Sequence, residues 1–258
     1  MKKTLQFLLD KKHARAPISM VTAYDFPTAR ALDEAEVDTV LVGDSLGTNC
    51  LGYASEREVT IGDMVHHTSA VRRGIKSAFV IADMPYGCAD DAAGALANAS
   101  KLTDCGADCV KIEGWGEKAD IIRALCGAGI AVCAHIGYNP QIHDKPAVFG
   151  KSADQAAELM DGAKALCGAG AGLIVLEMVP AELSEKISAE LTIPTIGIGS
   201  GNRCDGQVLV VNDLLGISPK VFKHVRAFAD LKVTMREAFK DYISAVGSRE
   251  FPGDKNSW

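Results

Sequence analysis

The sequence predicts an α/β fold in the form of a closed (β/α)8 barrel, and three observations lead to this prediction. Short apolar runs rich in Val, Ile and Leu recur along the chain and stop at a glycine or a polar residue, as buried parallel strands do. Segments of helical length separate these runs, and parallel strands require such crossovers. The chain has 258 residues, 25 glycines and no linker-like stretch, so a single barrel domain over residues 1–258 is predicted.

The first half of the chain contributes four predicted strand and helix units, preceded by a short amphipathic helix at residues 2–12. Asp90 and Asp91 stand at the start of the third unit's helix, where carboxylates favour the positive end of the helix dipole. The loop through Tyr53 and Glu58 is longer than most strand-to-helix connections, and such loops tend to be functional. The predicted strands are 18–23, 39–43, 77–82 and 108–112, and the helices are 28–36, 60–73, 90–103 and 117–126.

The second half contributes four more strands and a long closing helix. Cys-Gly-Ala-Gly occurs at 126–129 and again at 167–170, where glycine supplies the left-handed cap that ends a helix. Pro180 suits the first turn of its helix. A doubly wound open sheet is the alternative fold. It would require a reversal of strand order, which the sequence cannot show. The predicted strands are 130–134, 172–176, 193–198 and 208–211, and the helices are 152–167, 180–190 and 225–246.

Charge and hydropathy patterning exclude several classes of partner. The net charge of -6 speaks against nucleic acid, because nucleic-acid binders need a clustered basic surface. The densest basic pairs, Lys11-Lys12 and Arg72-Arg73, are typical of solvated helix ends. No apolar run approaches membrane-spanning length, and the N-terminal segment is too interrupted for a signal peptide. We therefore expect a soluble, cytoplasmic protein with no nucleic-acid partner and no membrane partner.

The cysteines are predicted to be reduced structural residues. None forms a Cys-x-x-Cys pair, so their spacing indicates neither a metal site nor a disulfide framework. The eight cysteines are scattered at positions 50, 88, 105, 109, 126, 133, 167 and 204.

Polar side chains follow five of the predicted strands at the point where each strand ends. Because the C-terminal ends of parallel strands meet at one face of a barrel, we expect these side chains to line one pocket. The five residues are Asp44, Asp83, Glu113, His135 and Glu177.

Three of these residues, Asp44, Asp83 and Glu113, are hard oxygen ligands on consecutive strands. Such a set suits Mg²⁺, which keeps several waters and takes few protein contacts. The alternative is that the carboxylates cap helix N-termini or pair with Lys111. Lys111 stands two positions before Glu113, so the two-residue period of a strand points both side chains to the same side. That arrangement would set a cation beside a metal-bound anion.

His135 and Glu177 complete the expected pocket. His135 follows an apolar run, so it is either a functional residue at the rim or a satisfied core histidine, whereas His66 and His67 are expected on a helix surface. Glu177 follows Leu-Ile-Val-Leu, and a carboxylate among apolar neighbours is poorly hydrated, which suits it to accept a proton near neutrality. If the other carboxylates hold a metal, Glu177 is left for proton transfer.

The glycine-rich stretch 197–201 has two interpretations. Barrels often bind phosphate with the loops after their seventh and eighth strands. The stretch lacks the Lys-Ser/Thr ending of a P-loop, however. We favour a tight backbone turn at the pocket wall.

Eight segments recur, in the same order and at compatible spacing, in one known family. They are VTAYD (21–25), LVGDSLG (41–47), HTSAVRRG (67–74), ADMP (82–85), VKIEG (110–114), LEMVP (176–180), IGIGSG (196–201) and DGQ (205–207). Together these motifs are highly specific and span nearly the whole chain. The chain closely resembles the ketopantoate hydroxymethyltransferase family.

The resemblance implies a TIM barrel of the phosphoenolpyruvate/pyruvate superfamily that depends on Mg²⁺. It implies transfer of a one-carbon unit from 5,10-methylenetetrahydrofolate to 3-methyl-2-oxobutanoate, the first step toward pantothenate. It also implies a homo-oligomer, commonly a decamer. By motif match, Glu177 is the proton acceptor. The metal ligands are Asp44, Asp83 and Glu113, and the keto-acid contacts are Asp44, Ser45, Asp83 and Lys111, with His135 in the same pocket.

The chain departs from the family pattern in two places, and two other functions stay open. Segment 142–155 is shorter than the glycine-rich loop that usually lies over the active site, and Thr48 replaces a common methionine; folate binding and substrate choice depend on both. A Mg²⁺-dependent carbon–carbon lyase would share the barrel but usually adds a cysteine-bearing gating loop, which this sequence lacks. A non-catalytic barrel that binds a small acid would not need Glu177.

Overall fold

Eight parallel strands close into a barrel in a computed structural model that describes residues 1–219 and 222–258. Each strand pairs with the next in chain order, and β8 pairs with β1. This closure confirms the predicted fold and excludes the open sheet. The strands are β1 Ile18–Thr22, β2 Thr39–Val42, β3 Phe79–Asp83, β4 Cys109–Glu113, β5 Val132–Gly137, β6 Leu173–Glu177, β7 Thr195–Ile198 and β8 Gly206–Leu209.

The helices alternate with the strands through β7, and most begin and end close to their expected positions. Asp91 caps the fourth helix by accepting a hydrogen bond from the backbone N–H of Gly94, as expected for a carboxylate at a helix start. The long loop after β2 contains a π-helical turn, Gly47–Leu51, and a 3₁₀ turn, Glu56–Glu58. The helices are α1 Leu5–His13, α2 Phe26–Glu34, α3 Ile61–Gly74, α4 Ala92–Asp104, α5 Lys118–Gly127, α6 Ala153–Gly168, α7 Ala181–Glu190, α8 Val211–Leu214 and α9 Leu231–Gly247.

Two sequence-based boundaries near the C-terminus are wrong. The eighth strand was expected at 208–211, but β8 ends at Leu209 and Val211 opens α8. Ile18 and Ile196 are the β1 and β7 partners of Gly206, so the barrel's pairing register decides where β8 begins. The closing helix was expected from residue 225, but α9 begins at Leu231 because Asp230 caps it through the backbone N–H of Val233.

The barrel interior is apolar through its lower and middle layers. Side chains two positions apart along a strand point to the same side, so alternate strand residues fill the interior. Leu8 of α1 packs into the same cluster and covers the N-terminal end of the barrel. The interior residues are Ile18, Met20, Leu41, Phe79, Ile81, Cys109, Cys133, Leu173, Val175, Ile196 and Val208.

Ion pairs tie α1 and the residues around it to that same end of the barrel. Asp38, Asp108 and Asp205 stand directly before β2, β4 and β8. They pair with lysines at positions 2, 3, 11 and 12. These ion pairs lie at the N-terminal face of the barrel and serve its stability, whereas the active sites of such barrels lie at the opposite face.

Residues 1–210 and 211–258 form two compact units, so a single domain over 1–258 stays a prediction. In the second unit, the backbone N–H of Phe228 donates to Leu214 and that of Leu231 to Leu215. Across the described residues, no helix is both long and apolar enough to cross a bilayer. All eight cysteines are free thiols.

Candidate active site

The interior of the barrel changes from apolar to polar at the C-terminal ends of the strands. On β4, the inward series Cys109, Lys111 and Glu113 passes from apolar to charged within four residues, and all three are buried. The same change occurs from Ile81 to Asp83, Cys133 to His135 and Val175 to Glu177. The polar side chains therefore share the barrel interior with the core but occupy its upper layer.

Three buried carboxylates meet at this face. Potential ligand oxygens of Asp44, Asp83 and Glu113 all lie within 4.8 Å of one another. Asp44 lies just beyond β2, and its backbone N–H donates to Oδ2 of Asp83 over 3.1 Å. The structure thus brings together the three residues that the sequence predicts as metal ligands. Of the alternative roles, helix capping is not observed for them among the described residues, whereas Asp83 and Glu113 do pair with Lys111.

Lys111 lies between two of these carboxylates. Its Nζ donates to Oδ2 of Asp83 and to Oε1 of Glu113, both over 2.9 Å, and its side chain is only 4% exposed. Burial alone would lower the pKa of Lys111, but the carboxylates of Asp83, Glu113 and Asp44 raise it well above its ordinary value. The ammonium group therefore stays charged.

The polar contacts continue to Glu177 through His135. Nδ1 of His135 lies 3.0 Å from Oε1 of Glu113, and Nε2 lies 3.3 Å from Oε2 of Glu177 without hydrogen-bond geometry. The side chain of Glu177 is 20% exposed, whereas that of His135 is 2% exposed. Glu177 is therefore the member of the cluster that solvent reaches.

The pKa shifts in the cluster reflect its burial and its crowded charges. Burial and the neighbouring carboxylates raise the pKa of Asp44 well above its ordinary value, and burial raises the pKa of Asp83. Burial alone would raise the pKa of Glu113, but Lys111 and His135 lower it to about 2. Burial alone would lower the pKa of His135, but Glu113 and Glu177 raise it to about 9. Burial and like charges thus raise the pKa values of Asp44 and Asp83, whereas opposite charges lower that of Glu113 and raise that of His135. A cation bound by the three carboxylates would lower their pKa values.

The free oxygens of the carboxylates fit a metal ion. Asp83 uses Oδ2 and Glu113 uses Oε1 for protein contacts, while Oδ1 of Asp83 and Oε2 of Glu113 are buried with no hydrogen-bond partner among the described residues. Buried polar atoms without a partner are rare in folded proteins and call for an explanation. Hard carboxylate oxygens are the ligands of Mg²⁺ and Ca²⁺. The triad can hold such a cation.

Ser45 is placed by a tyrosine that the sequence-based site did not include. The Tyr24 hydroxyl lies 2.9 Å from Oγ of Ser45 and accepts a hydrogen bond from Oγ1 of Thr22 over 3.0 Å. Burial raises the pKa of Tyr24, so the phenol stays protonated. Tyr24 comes just after β1, so the search for polar residues at strand ends could have found it.

Gln141 is a second residue that the sequence-based site missed. It lies in the loop between β5 and α6, is buried, and its Nε2 donates to Oδ2 of Asp44 over 2.8 Å. A glutamine in an irregular loop carries no sequence signal of this contact.

Two other sequence expectations have clear structural outcomes. Ser200, within the stretch 197–201, is buried and donates from Oγ to the backbone oxygen of Leu176, while accepting from the backbone N–H of Val179. The stretch thus forms a turn bonded to the end of β6 and to the residues just after it, which supports the favoured interpretation. His66 is exposed as expected, but His67 is half-buried, with Nδ1 2.6 Å from the backbone oxygen of Tyr24.

A family model described as ketopantoate hydroxymethyltransferase matches residues 2–254. The chain belongs to the ketopantoate hydroxymethyltransferase family. Three relatives carry the name 3-methyl-2-oxobutanoate hydroxymethyltransferase. The relative from Carboxydothermus hydrogenoformans is 46% identical over 99% of this chain and 95% of its own. The relative from Geobacillus kaustophilus is 47% identical over 93% of this chain and 88% of its own. The relative from Listeria innocua is 44% identical over 100% of this chain and 95% of its own.

Solved structures of more distant proteins share the barrel of this ketopantoate hydroxymethyltransferase family member. A phosphonopyruvate hydrolase in complex with oxalate and Mg²⁺ has a TM-score of 0.67 at 11% identity, covering 99% of this chain and 93% of that one. A 2,3-dimethylmalate lyase of the PEP mutase/isocitrate lyase superfamily has a TM-score of 0.62 at 15% identity, covering 98% and 90%. These structures confirm the fold class.

The two places where the sequence is expected to depart from the family pattern, Thr48 and residues 142–155, lie in the loops after β2 and β5. Thr48 is in the π-helical turn, and its Oγ1 donates to Oε1 of Glu56 over 2.8 Å. Within residues 142–155, the ring centroid of His143 lies 4.6 Å from that of Phe149, and it lies 6.0 Å from that of Tyr138, just before this segment. The loop therefore has an aromatic cluster of its own beside the polar site.

Proposed function

We propose that this protein transfers a hydroxymethyl group from 5,10-methylenetetrahydrofolate to 3-methyl-2-oxobutanoate and so forms 2-dehydropantoate, the first step of pantothenate biosynthesis. The observation that carries the proposal is the convergence of three buried carboxylates, Lys111 and Glu177 at the C-terminal face of the barrel. The names of the relatives, 44–47% identical, support the choice of substrates.

The proposed metal is Mg²⁺, held by Asp44, Asp83 and Glu113. The three carboxylates carry three formal negative charges and Lys111 carries one positive charge, so a divalent cation balances the group. When bound, Mg²⁺ acts as a Lewis acid toward the carboxylate and keto oxygens of a 2-oxo acid.

Lys111, Ser45, Asp44 and Asp83 are the proposed contacts of the keto acid. A lysine ammonium has three donors, and two of those on Lys111 bind Asp83 and Glu113. The third donor can bind the substrate and stabilise negative charge where it develops. Tyr24 keeps the hydroxyl of Ser45 in place.

Glu177 is the proposed base that removes the proton from C3 of 3-methyl-2-oxobutanoate. It is partly exposed to solvent at the rim, and His135 lies 3.3 Å from its Oε2. A protonated imidazole at this distance orients the carboxylate. The substrate carbon that loses the proton then forms a bond to the methylene carbon of the folate. Both carbon–nitrogen bonds of that methylene group break, water supplies the hydroxyl group of the product, and the folate nitrogens take up the C3 proton and the second proton of that water, so that tetrahydrofolate leaves. His135 is thus a positioning residue within the pocket.

The remaining parts of the proposal concern partners and location. Residues 142–155 directly follow Gln141, which contacts Asp44, and we expect this segment to contact the folate. The homo-oligomer and the cytoplasmic location expected from the sequence stay predictions. Size-exclusion chromatography with light scattering measures the first of these.

Deuterium exchange at C3 of 3-methyl-2-oxobutanoate tests the proposed base. The wild-type protein with Mg²⁺ should catalyse exchange without folate and form 2-dehydropantoate when methylenetetrahydrofolate is added. Glu177→Gln should lower exchange at least 10²-fold, the usual size of a general-base contribution, while keto-acid binding measured by calorimetry is largely retained. Glu182→Gln, an exposed carboxylate in the first turn of α7, is the matched control.

The outcomes separate the proposal from its alternatives. Exchange at the wild-type rate in Glu177→Gln would mean that another group is the base. A carbon–carbon lyase would cleave a 2-oxo acid in the absence of folate. A non-catalytic binder would bind the acid but incorporate no deuterium.

A further inference from the structure

One oxygen of each metal-site carboxylate is held by a donor from the protein. Oδ2 of Asp83 and Oε1 of Glu113 both bind Lys111. Oδ2 of Asp44 instead binds the side-chain amide of Gln141. Unlike Lys111, Gln141 comes from a loop and carries no charge.

We propose that Gln141 is a positioning residue that orients Asp44 toward the cation and the keto acid. This inference rests on the site proposed above. By holding Oδ2, the amide fixes the rotation of the carboxylate, so that Oδ1 is presented to the ligand in a constant direction. Partners that orient a ligating carboxylate in this way tune metal affinity.

The amide of Gln141 has a defined orientation. Its Nε2 lies 2.8 Å from Oδ2 of Asp44 and 3.1 Å from the backbone oxygen of Met84. Both partners are acceptors, so the NH₂ end of the amide must face them. Both amide hydrogens are then used, one on the metal site and one on the backbone just after β3.

The backbone of Gln141 is also held in place. Its N–H donates to Oδ1 of Asn139 over 2.8 Å, and its carbonyl oxygen accepts from Nε of Arg57 over 2.7 Å. A second guanidinium nitrogen of Arg57 lies 3.1 Å from Oδ1 of Asp144. Arg57 belongs to the loop that begins at Asp44, so both ends of that loop contact Gln141.

A neutral donor at this position has a chemical consequence. A lysine or arginine beside Asp44 would cancel the negative charge that attracts a divalent cation. An amide supplies the hydrogen bond and leaves the charge on Asp44 available. Asp44 thus receives a neutral side-chain donor, Gln141, whereas the cationic donor Lys111 binds Asp83 and Glu113, and the three carboxylates with Lys111 retain the net negative charge that a dication needs.

The test measures Mn²⁺ binding by electron paramagnetic resonance, without substrate, alongside the KM and kcat of deuterium exchange. Gln141→Leu removes both amide donors, and Arg57→Met removes the contact on the backbone oxygen. Gln207→Leu is the matched control, because its Nε2 donates to the backbone oxygen of Gly201 and not to a carboxylate. Circular dichroism and the unfolding midpoint report whether each variant is folded.

We expect Gln141→Leu to raise the Kd of Mn²⁺ at least about tenfold, as the loss of such a partner does in other metal sites. Arg57→Met should raise the Kd by a smaller factor, and Gln207→Leu should leave it unchanged. The KM for the keto acid should rise with the Kd.

If folded Gln141→Leu bound Mn²⁺ with the Kd of the wild-type protein, the inference would be overturned. It would also be overturned if Gln207→Leu raised the Kd of Mn²⁺ as much as Gln141→Leu does. If Gln141→Leu does not fold, an unchanged Kd in Arg57→Met would overturn it. Failure of the proposed function gives a different result: the wild-type protein would bind Mn²⁺ but neither exchange deuterium nor transfer the one-carbon unit.

Discussion

Removal of the buried ammonium group of Lys111 tests the electrostatic basis of the site. Lys111→Met keeps most of the side-chain volume and removes the positive charge. In the wild-type protein, Nζ lies 2.9 Å from Oδ2 of Asp83 and 2.9 Å from Oε1 of Glu113. The variant therefore leaves two buried carboxylates without their common cation.

The expected loss of stability follows from these distances. At an effective dielectric constant of 20, each contact contributes about 6 kcal/mol of Coulomb energy. Desolvation of the lysine and the carboxylates offsets a large part of it. Breaking a buried ion pair by removal of one partner typically costs about 3–5 kcal/mol, and we expect a loss of this size in the free energy of unfolding of Lys111→Met.

Urea unfolding with EDTA and with excess Mg²⁺ measures the effect. The loss should be largest in EDTA and smaller with Mg²⁺, because the cation binds only the folded carboxylates and supplies the missing positive charge. Lys164→Met is the control: its pair with Glu190 is half exposed, and such pairs contribute at most about 1 kcal/mol. If Lys111→Met lost no more stability in EDTA than Lys164→Met, the charges of the cluster would not be coupled as described.

Three further predictions concern other parts of the structure. Burial alone would raise the pKa of Asp33, but hydrogen bonds from the backbone N–H groups of residues 76–78 lower it from 3.8 to about 2. Asp33→Asn should therefore lower the free energy of unfolding by about 1–2 kcal/mol at pH 7, after a reduction for solvent screening. The difference in free energy of unfolding between the wild-type protein and this variant, measured with urea, should shrink as the pH falls from 4 toward 2. A difference that stays constant over this range would refute the role given to Asp33. Tyr24→Phe should raise the KM for the keto acid by roughly fivefold to tenfold, the equivalent of one hydrogen bond, with kcat nearly unchanged; a selective loss of kcat would contradict this. Mg²⁺ at about 100 times its Kd should add about 2.7 kcal/mol of stability and raise the thermal midpoint by roughly 5–10 °C over the EDTA-treated protein, and an equal midpoint would count against the metal site.

Asp83, Glu113 and Glu177 were predictable because each ends an apolar strand, and the strand period alone puts Lys111 on the same side as Glu113. His135 was expected just after its strand, but β5 continues to Gly137, so His135 lies within it. The start of β8 was not predictable, because Gly206 joins the sheet only by pairing with Ile18 of β1 and Ile196 of β7 in the closed barrel. The cap at Asp230 is local and could have been identified.

The alternation of strands and helices, the acidic residues at the strand ends and the family of the chain can all be recognised from the amino-acid sequence. These features depend on side-chain period and on local motifs, which are visible without coordinates. The closure of the sheet and the contact of Gln141 with Asp44, a residue 97 positions earlier in the chain, became evident in the folded barrel. Such contacts depend on how the barrel brings two irregular loops together, and no periodic pattern encodes the conformation of an irregular loop.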